Sequence, residues 1–299
     1  REHKLADFTL LNKDFGAQAV KKFIDLGILT TFQEEITRSP DVLHHTREHF
    51  VHTPEQERAI TGVKLNENCT YLIHGVTGSG KTEVYMTLIE NVLKNGKSAI
   101  MLVPEISLTP QIMYNFKNRF GENVALLHSG LSAGERYDEW RRLRNGKAKV
   151  AVGARSAIFA PLENVGIIII DEEEDSSYSS ESNPRYKTVE VADFRARYNS
   201  CPLVLGSATP SIASYYYSQI GKYKLLELPT RANGKDMPKI QIVDMLSEIR
   251  NGNNGIFSVA LRDELAACMR DKKQAMLFLN RRGYTSFMMC RKCGYVAKC

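Results

Sequence analysis

Between Thr53 and Leu228 short apolar runs alternate with amphipathic stretches. The runs Tyr71–His74, Ala99–Val103, Val124–His128, Val150–Val152, Val165–Ile170 and Leu203–Leu205 predict strands, and helical periodicity fills most of the intervals. Such alternation predicts parallel strands joined by helical crossovers, hence a three-layer α/β domain. The run Val165–Ile170 is apolar on both faces, as a central parallel strand requires. From Thr82 to Lys94 the spacing of Val84, Leu88, Ile89 and Val92 predicts a helix with one buried face.

The flanks read differently. Leu5, Phe8, Leu11 and Phe15 recur at helical spacing, and Val20, Phe23 and Ile24 mark a second helix that Gly27 would cap. The run Ile28–Ile36 then reads as a strand. Helix, helix and strand outline a winged-helix module over residues 1–38, although a small packing domain without nucleic-acid contact fits the same pattern. Residues 39–52, with Pro40 and the histidines His44, His45, His49 and His52, read as a linker with solvated histidines rather than metal ligands. Beyond Pro229 come a predicted strand (Ile240–Val243), a Gly/Asn-rich stretch (Asn251–Gly255), a helix (Val259–Met269) and a strand (Ala275–Leu279). This reads as the start of a second α/β domain over 229–299.

Composition narrows the class. The 299 residues are 43% hydrophobic and 25% charged, with no apolar run long enough to span a membrane, so no membrane partner is expected. The formal net charge of +6 is compatible with a polyanionic partner. The basic run Arg141, Arg142, Arg144, Lys147 and Lys149 reads as a solvated helix face. Cys69, Cys201 and Cys268 stand alone and read as buried small hydrophobes. A reducing, intracellular (cytoplasmic) compartment fits. The chain begins at Arg1 without methionine and stops within a cysteine cluster, so it reads as a piece of a longer protein.

Candidate chemistry is concentrated in three places. Gly75, Val76, Thr77, Gly78, Ser79, Gly80, Lys81 and Thr82 spell a G-x-x-x-x-G-K-T phosphate loop between a predicted strand and a predicted helix. Glycines let successive N–H groups and the helix N-terminus surround a polyphosphate, Lys81 reaches its β/γ-phosphates, and the Thr82 hydroxyl holds Mg²⁺. Directly after Val165–Ile170 comes Asp171-Glu172-Glu173-Glu174. At the carboxyl end of a strand neighbouring the phosphate loop, Asp171 would support Mg²⁺ and Glu172 would orient and deprotonate an attacking water. Ser207-Ala208-Thr209 supplies small hydroxyls able to bridge the acidic turn and a bound strand. Near the end, Cys290, Cys293 and Cys299 offer three of the four ligands that a tetrahedral Zn²⁺ needs, with a redox pair as the alternative.

A phosphate loop, an acidic turn and a Ser-Ala-Thr in this order resemble the first motor domain of superfamily 2 helicases. The blocks His74–Tyr85, Leu102–Gln111, His128–Ser132, Val152–Ala157 and Asn280–Tyr284 resemble, more narrowly, the bacterial primosomal replication-restart helicases, over residues 53–299. The resemblance implies a RecA-like α/β motor lobe at 53–228, with a winged helix before it and the start of a second lobe after it. It implies ATP and Mg²⁺ as cofactors, with Gln56 sensing adenine, Lys81, Asp171 and Glu172 catalytic, and Thr82 and Asp171 on the magnesium. Arg155 and Ser156 would line the DNA track, where a guanidinium can clamp a phosphate and a hydroxyl can add a hydrogen bond. Tyr178, Arg185 and Tyr186 would belong to an aromatic-rich loop on which bases stack. Cys290, Cys293 and Cys299 would open a double zinc-binding insertion. The implied activity is ATP-dependent 3′-to-5′ unwinding in replication restart. The implied partners are forked and single-stranded DNA, other primosome proteins, single-stranded DNA-binding protein and the replicative helicase.

The chain departs from the family pattern at three points. Glu174 stands where a histidine is usual, Tyr178-Ser179-Ser180 replaces Tyr-Lys-Gln, and Lys187-Thr188-Val189 replaces His-Ala-Arg. That histidine couples the nucleotide site to Ser-Ala-Thr in such motors, and a carboxylate adds negative charge beside a triphosphate. The arginine-bearing motif of a second lobe is not among the 299 residues, which predicts nucleotide binding with slow hydrolysis. Two other classes remain open at this point. One is a DNA-binding scaffold or loader with an uncoupled motor. The other is a small-molecule kinase, which would leave the acidic turn and the Arg155–Ser156 block without a role.

Overall fold

In the computed structural model, which describes residues 8–31, 51–234 and 238–278, the alternating region forms one seven-stranded sheet in the order β3-β4-β2-β5-β6-β1-β7. The strands are β1 (Thr70–Gly75), β2 (Ser98–Leu102), β3 (Val124–Leu127), β4 (Val150–Gly153), β5 (Val165–Asp171), β6 (Leu203–Ser207) and β7 (Lys224–Leu228). Every pairing is parallel. All six predicted strands form; the edge strand β7 was not predicted, because its half-exposed Lys-Leu-Leu-Glu-Leu lacks the apolar run of a central strand.

Two apolar cores, one on each face, follow from the two-residue period of the pleat. Tyr71, Ile73, Ile167 and Ile169 enter one core, whereas Leu72, Ile168 and Ile170 enter the other. The first is closed by Ala59 of α3 (Pro54–Gly62), by Val84, Leu88, Ile89 and Val92 of α4 (Lys81–Lys94), and by Phe116 and Phe120 of α5 (Pro110–Phe120). The second is closed by Leu143 of α6 (Ala133–Arg144) and by Ala192 and Ala196 of α7 (Thr188–Tyr198). A further helix, α8 (Ile212–Gln219), precedes β7. Before these, α1 (Phe8–Phe15) and α2 (Ala17–Asp25) pack on one another.

Local chemistry sets several helix starts and stops. Thr53 and Gln56 form a reciprocal cap with Pro54 in the first turn, and Ser132 and Glu135 do the same for α6. The expected Gly27 stop of α2 is present. Ile28 N donates to Phe23 O and Gly27 N to Ile24 O, with Gly27 at φ +67°.

The chain divides into two units, Arg1–Lys235 and Asp236–Cys299. In the second, α9 (Met245–Arg250) and α10 (Val259–Arg270) are capped by Asp244 and Ser258. Neither flanking strand forms: residues 240–243 and 275–278 are irregular, and Ile240, Ile242, Met276 and Phe278 are exposed. A strand exists only against a neighbour, and no partner strand lies among the described residues of this unit. In the first unit, residues 28–31 likewise carry no strand, and the rest of that expectation falls outside the described residues. So do His44, His45, His49, Arg281, Cys290, Cys293 and Cys299.

Three expectations about side chains change. His52 is not free in solvent. Its ring lies 3.1 Å from the Thr87 hydroxyl and within 3.5 Å of Glu57 and Glu83 carboxylates. Arg142 is buried, forked on Glu139 at 2.7 and 3.0 Å and bonded to Glu122, because its place on α6 faces the sheet. Of the three lone cysteines only Cys201 is fully buried; Cys69 and Cys268 are half-buried. Among the described residues no helix is long and apolar enough to cross a membrane.

Candidate functional site

The register of the parallel ladders brings the singled-out residues together. His74 of β1 stands opposite Ser207 of β6, and Gly206 stands opposite Asp171 of β5. The carboxyl ends of β5, β6 and β1 therefore align, which is where ligands bind in open parallel sheets. One strand, β6, separates the acidic turn from the phosphate loop, so the two are next-nearest rather than adjacent strands.

The loop from Gly75 to Thr82 joins β1 to α4 and wraps the helix N-terminus. Gly80 takes φ +82°, and a Cβ on it would collide with the Gln56 amide, so the position requires glycine twice over. Gln56 Nε2 donates to Ser79 O at 2.9 Å while its Oε1 accepts from Thr53 N. The side chain expected at the adenine thus also fixes the loop backbone. Thr77 and Gly78 face solvent, Ser79 is buried, and the Ser79 hydroxyl has no partner. An orphaned buried hydroxyl beside the exposed Gly78 fits an oxygen-rich anion.

Lys81 is buried and folded across the loop, its Nζ donating to Gly75 O at 3.0 Å and lying 3.6 Å from Glu172 Oε1. Asp171, at the end of β5, accepts a 3.0 Å hydrogen bond from the Tyr85 hydroxyl. Burial, then the neighbouring Glu172 charge, push the Asp171 carboxyl up to about 6, opposed by Lys81 and the Tyr85 bond. Burial also raises the Tyr85 phenol well above its ordinary range. Glu172 sits at φ +46°, a left-handed turn that projects it out of the strand line. Thr82 and Asp171 offer hard oxygen donors of the kind Mg²⁺ takes.

The rest of the acidic turn binds the chain after β6. Glu173 accepts from Ser211 N at 2.7 Å, and Glu174 Oε1 accepts from the Thr209 hydroxyl at 3.0 Å. Glu174 therefore makes a direct contact with Ser-Ala-Thr, and this supplies a physical role for the residue that replaces histidine.

On the expected DNA side the residues separate. Arg155 donates to Ser179 O at 2.7 Å and lies 5.7 Å from the Tyr186 ring centre, and Tyr186 meets Phe159 edge-on. Ser156 and Arg185 are exposed. Tyr178 does not fit its expected part. It is 3% exposed, so its ring offers no face to a base. Its hydroxyl instead donates to Asp171 O at 2.8 Å, and its carbonyl accepts from Thr188. The second core claims this ring because an apolar pocket beside β5 is open to it.

Sequence reasoning missed Tyr85, which sits four residues after Lys81 on the buried face of α4; a lone hydroxyl on that apolar face was the available signal. It also missed Glu173. Among the described residues no cluster of His, Cys, Asp and Glu is arranged to hold a metal ion by itself.

The DEAD/DEAH box helicase family model matches residues 53–216, and the chain belongs to that family. Within it, the chain is 51% identical over 292 residues to Replication restart protein PriA of Bacillus subtilis (strain 168), covering 96% of this chain and 36% of that protein. It is 47% identical to Replication restart protein PriA of Synechocystis sp., over 83% of this chain and 30% of that one. The resemblance to the replication-restart helicases is borne out, as is the RecA-like α/β lobe. The chain spans about a third of the length of these relatives. Among solved structures it is similar to RecG bound to a three-way DNA junction (TM-score 0.42, 21% identity, 74% of this chain and 26% of that chain). It is also similar to the Pyrococcus furiosus Hef helicase domain (TM-score 0.45, 22% identity, 72% and 46%).

Proposed function

We propose that this chain carries the first motor lobe of an ATP-dependent, 3′-to-5′ DNA helicase acting on forked and single-stranded DNA in replication restart. The observation that supports this most directly is the meeting of Lys81, Glu172 and Asp171 at the mouth of the Gly75–Thr82 loop. The loop amides and the α4 N-terminus bind the phosphates. Those phosphates take over Lys81 from Gly75 O and Glu172, which frees the Glu172 carboxylate to accept a proton from the attacking water. Thr82 and Asp171 would hold Mg²⁺, which would supply charge neutralisation at the phosphates.

Arg155, Ser156, Arg185 and Tyr186 form the DNA-facing side in this reading. Tyr178 acts behind them, joining the Asp171 backbone to the loop whose carbonyls hold Arg155. The Glu174–Thr209 bond favours a working motor over a scaffold with a vestigial one. Residues 1–38 serve as a winged-helix module, 39–52 as a linker, and 229–299 as the start of a second lobe, with Cys290, Cys293 and Cys299 as zinc ligands. Residues 1–299 alone bind nucleotide but hydrolyse it slowly, because an arginine supplied to the transition state is worth about 10³–10⁵ in rate. The protein acts in the cytoplasm with primosome proteins, single-stranded DNA-binding protein and the replicative helicase.

The test is Lys81→Ala in the complete protein. Loss of DNA-stimulated ATP hydrolysis together with restart is expected. Restart retained without hydrolysis would favour the scaffold reading instead.

A further inference from the structure

The segment after β7 is laced to the phosphate loop on both sides of Arg231. Val76 N donates to Leu228 O at 3.1 Å, and Ala232 N donates to Gly78 O at 2.9 Å. The Arg231 stem consequently lies over the loop, with Cγ 3.9 Å from where a Cβ on Gly78 would stand. Ala232 Cβ stands 3.7 Å from the corresponding point on Gly80.

This arginine differs from the other arginines whose guanidinium is wholly or partly withdrawn from solvent. Arg119 is forked on Glu83 and Glu90, Arg142 on Glu122 and Glu139, and Arg195 on the carbonyls of Ile158, Ala160 and Leu162. Arg231 Nε is buried and has no hydrogen-bond partner, and no carboxylate pairs with its guanidinium among the described residues. The residue as a whole is half-buried, and leaving the Nε–H of a guanidinium dry and unpaired is costly. Its placement on an exposed glycine loop supplies the missing partner: an anion with several oxygens, matching the planar fork of donors.

We propose that Arg231 is a phosphate ligand of the nucleotide bound by the Gly75–Thr82 loop, closing over it from the β7 side. This inference rests on the reading of that loop as a nucleotide site. Arg231 acts in binding, so it holds ADP as well as ATP, and it is distinct from an arginine supplied by a second lobe.

The experiment is an equilibrium titration of residues 1–299 with a fluorescent ADP analogue and Mg²⁺, using inorganic tripolyphosphate and adenosine as competitors. Arg231→Ala is expected to weaken ADP and tripolyphosphate alike, by about 10- to 100-fold, the range of a charge-assisted hydrogen bond. Adenosine competition should not change, and Arg231→Lys should recover part of the loss. Should Arg231→Ala fail to fold, Arg231→Gln keeps the length and removes the charge, and the same loss is expected of it. ADP affinity within twofold of wild type in the folded variant would overturn the proposal. So would a loss confined to adenosine, which would make the contact one with the base. Wild-type protein that binds neither ADP nor tripolyphosphate would instead overturn the reading of the loop itself.

Discussion

Tyr85 on α4 donates its hydroxyl to Asp171 Oδ1 at the end of β5, reaching across β6 at the position of Gly206. A Cβ on Gly206 would overlap that hydroxyl, so the glycine exists for the contact. The bond holds one oxygen of the carboxylate that the proposed reading assigns to magnesium, and the Glu172 backbone also donates to that carboxylate. Tyr85→Phe should fold, lose about 1–3 kcal/mol of stability through the lost hydrogen bond to a carboxylate, and need more Mg²⁺ for nucleotide binding. Thermal melts and Mg²⁺ titrations check this; an unchanged Mg²⁺ requirement would leave the bond purely structural.

Gly206→Ala should be worse for stability than Tyr85→Phe, because overpacking displaces the whole ring; about 1–3 kcal/mol is the usual range for such a change, added to loss of the hydrogen bond. The double variant Gly206→Ala/Tyr85→Phe should recover part of the deficit. Strictly additive melting losses would show that the two residues do not share one space.

Burial, followed by Glu172, raises the Asp171 carboxyl to about 6 from its ordinary value of 3.8. A raised carboxyl binds its proton more tightly in the folded state. Its contribution to folding is therefore greatest at low pH and is lost as pH rises through about 6. Magnesium needs the ionised form, so Mg²⁺-dependent ADP affinity should fall as pH drops below about 6. A titration from about pH 5 to pH 8 measures it, and Asp171→Asn should flatten the profile.

The sheet was legible because parallel strands buried on both faces leave runs such as Val165–Ile170, and the phosphate loop because its glycines cannot be replaced. What the sequence did not disclose is which side chains cross between elements. Tyr178 looked like a stacking platform since it falls, with Arg185 and Tyr186, in the stretch that resembles the family's aromatic-rich loop, yet burial behind β5 turns it inward. Glu174 looked like an unexplained substitution until the turn after β6 placed the Thr209 hydroxyl 3.0 Å away. Arg142 read as solvated because Arg141, Arg142 and Arg144 are one run in sequence but lie on different faces of α6.

Glu174→Ala should leave nucleotide binding intact and reduce the stimulation of ATP hydrolysis by single-stranded DNA in the complete protein, while Glu174→Gln, which keeps an acceptor for Thr209, should retain most of it. Steady-state hydrolysis with and without DNA distinguishes them. Equal stimulation in wild type and Glu174→Ala would remove Glu174 from the coupling path.

Arg155→Ala should weaken single-stranded DNA binding and lower the salt slope of log K by somewhat under one, the effect of one lost phosphate contact. Binding isotherms at several salt concentrations read both quantities; an unchanged slope would assign Arg155 to holding the Ser177–Ser179 loop alone.

In the proposed reading Gly75–Thr82 is a nucleotide site, and Lys81 is released from Gly75 O and Glu172 when phosphates arrive. Calorimetric titration of residues 1–299 with ADP and Mg²⁺ tests it most directly. One-to-one binding in wild type, weakened at least about tenfold in Lys81→Ala, is the predicted result. No heat in wild type, or equal affinity in the two proteins, would contradict it.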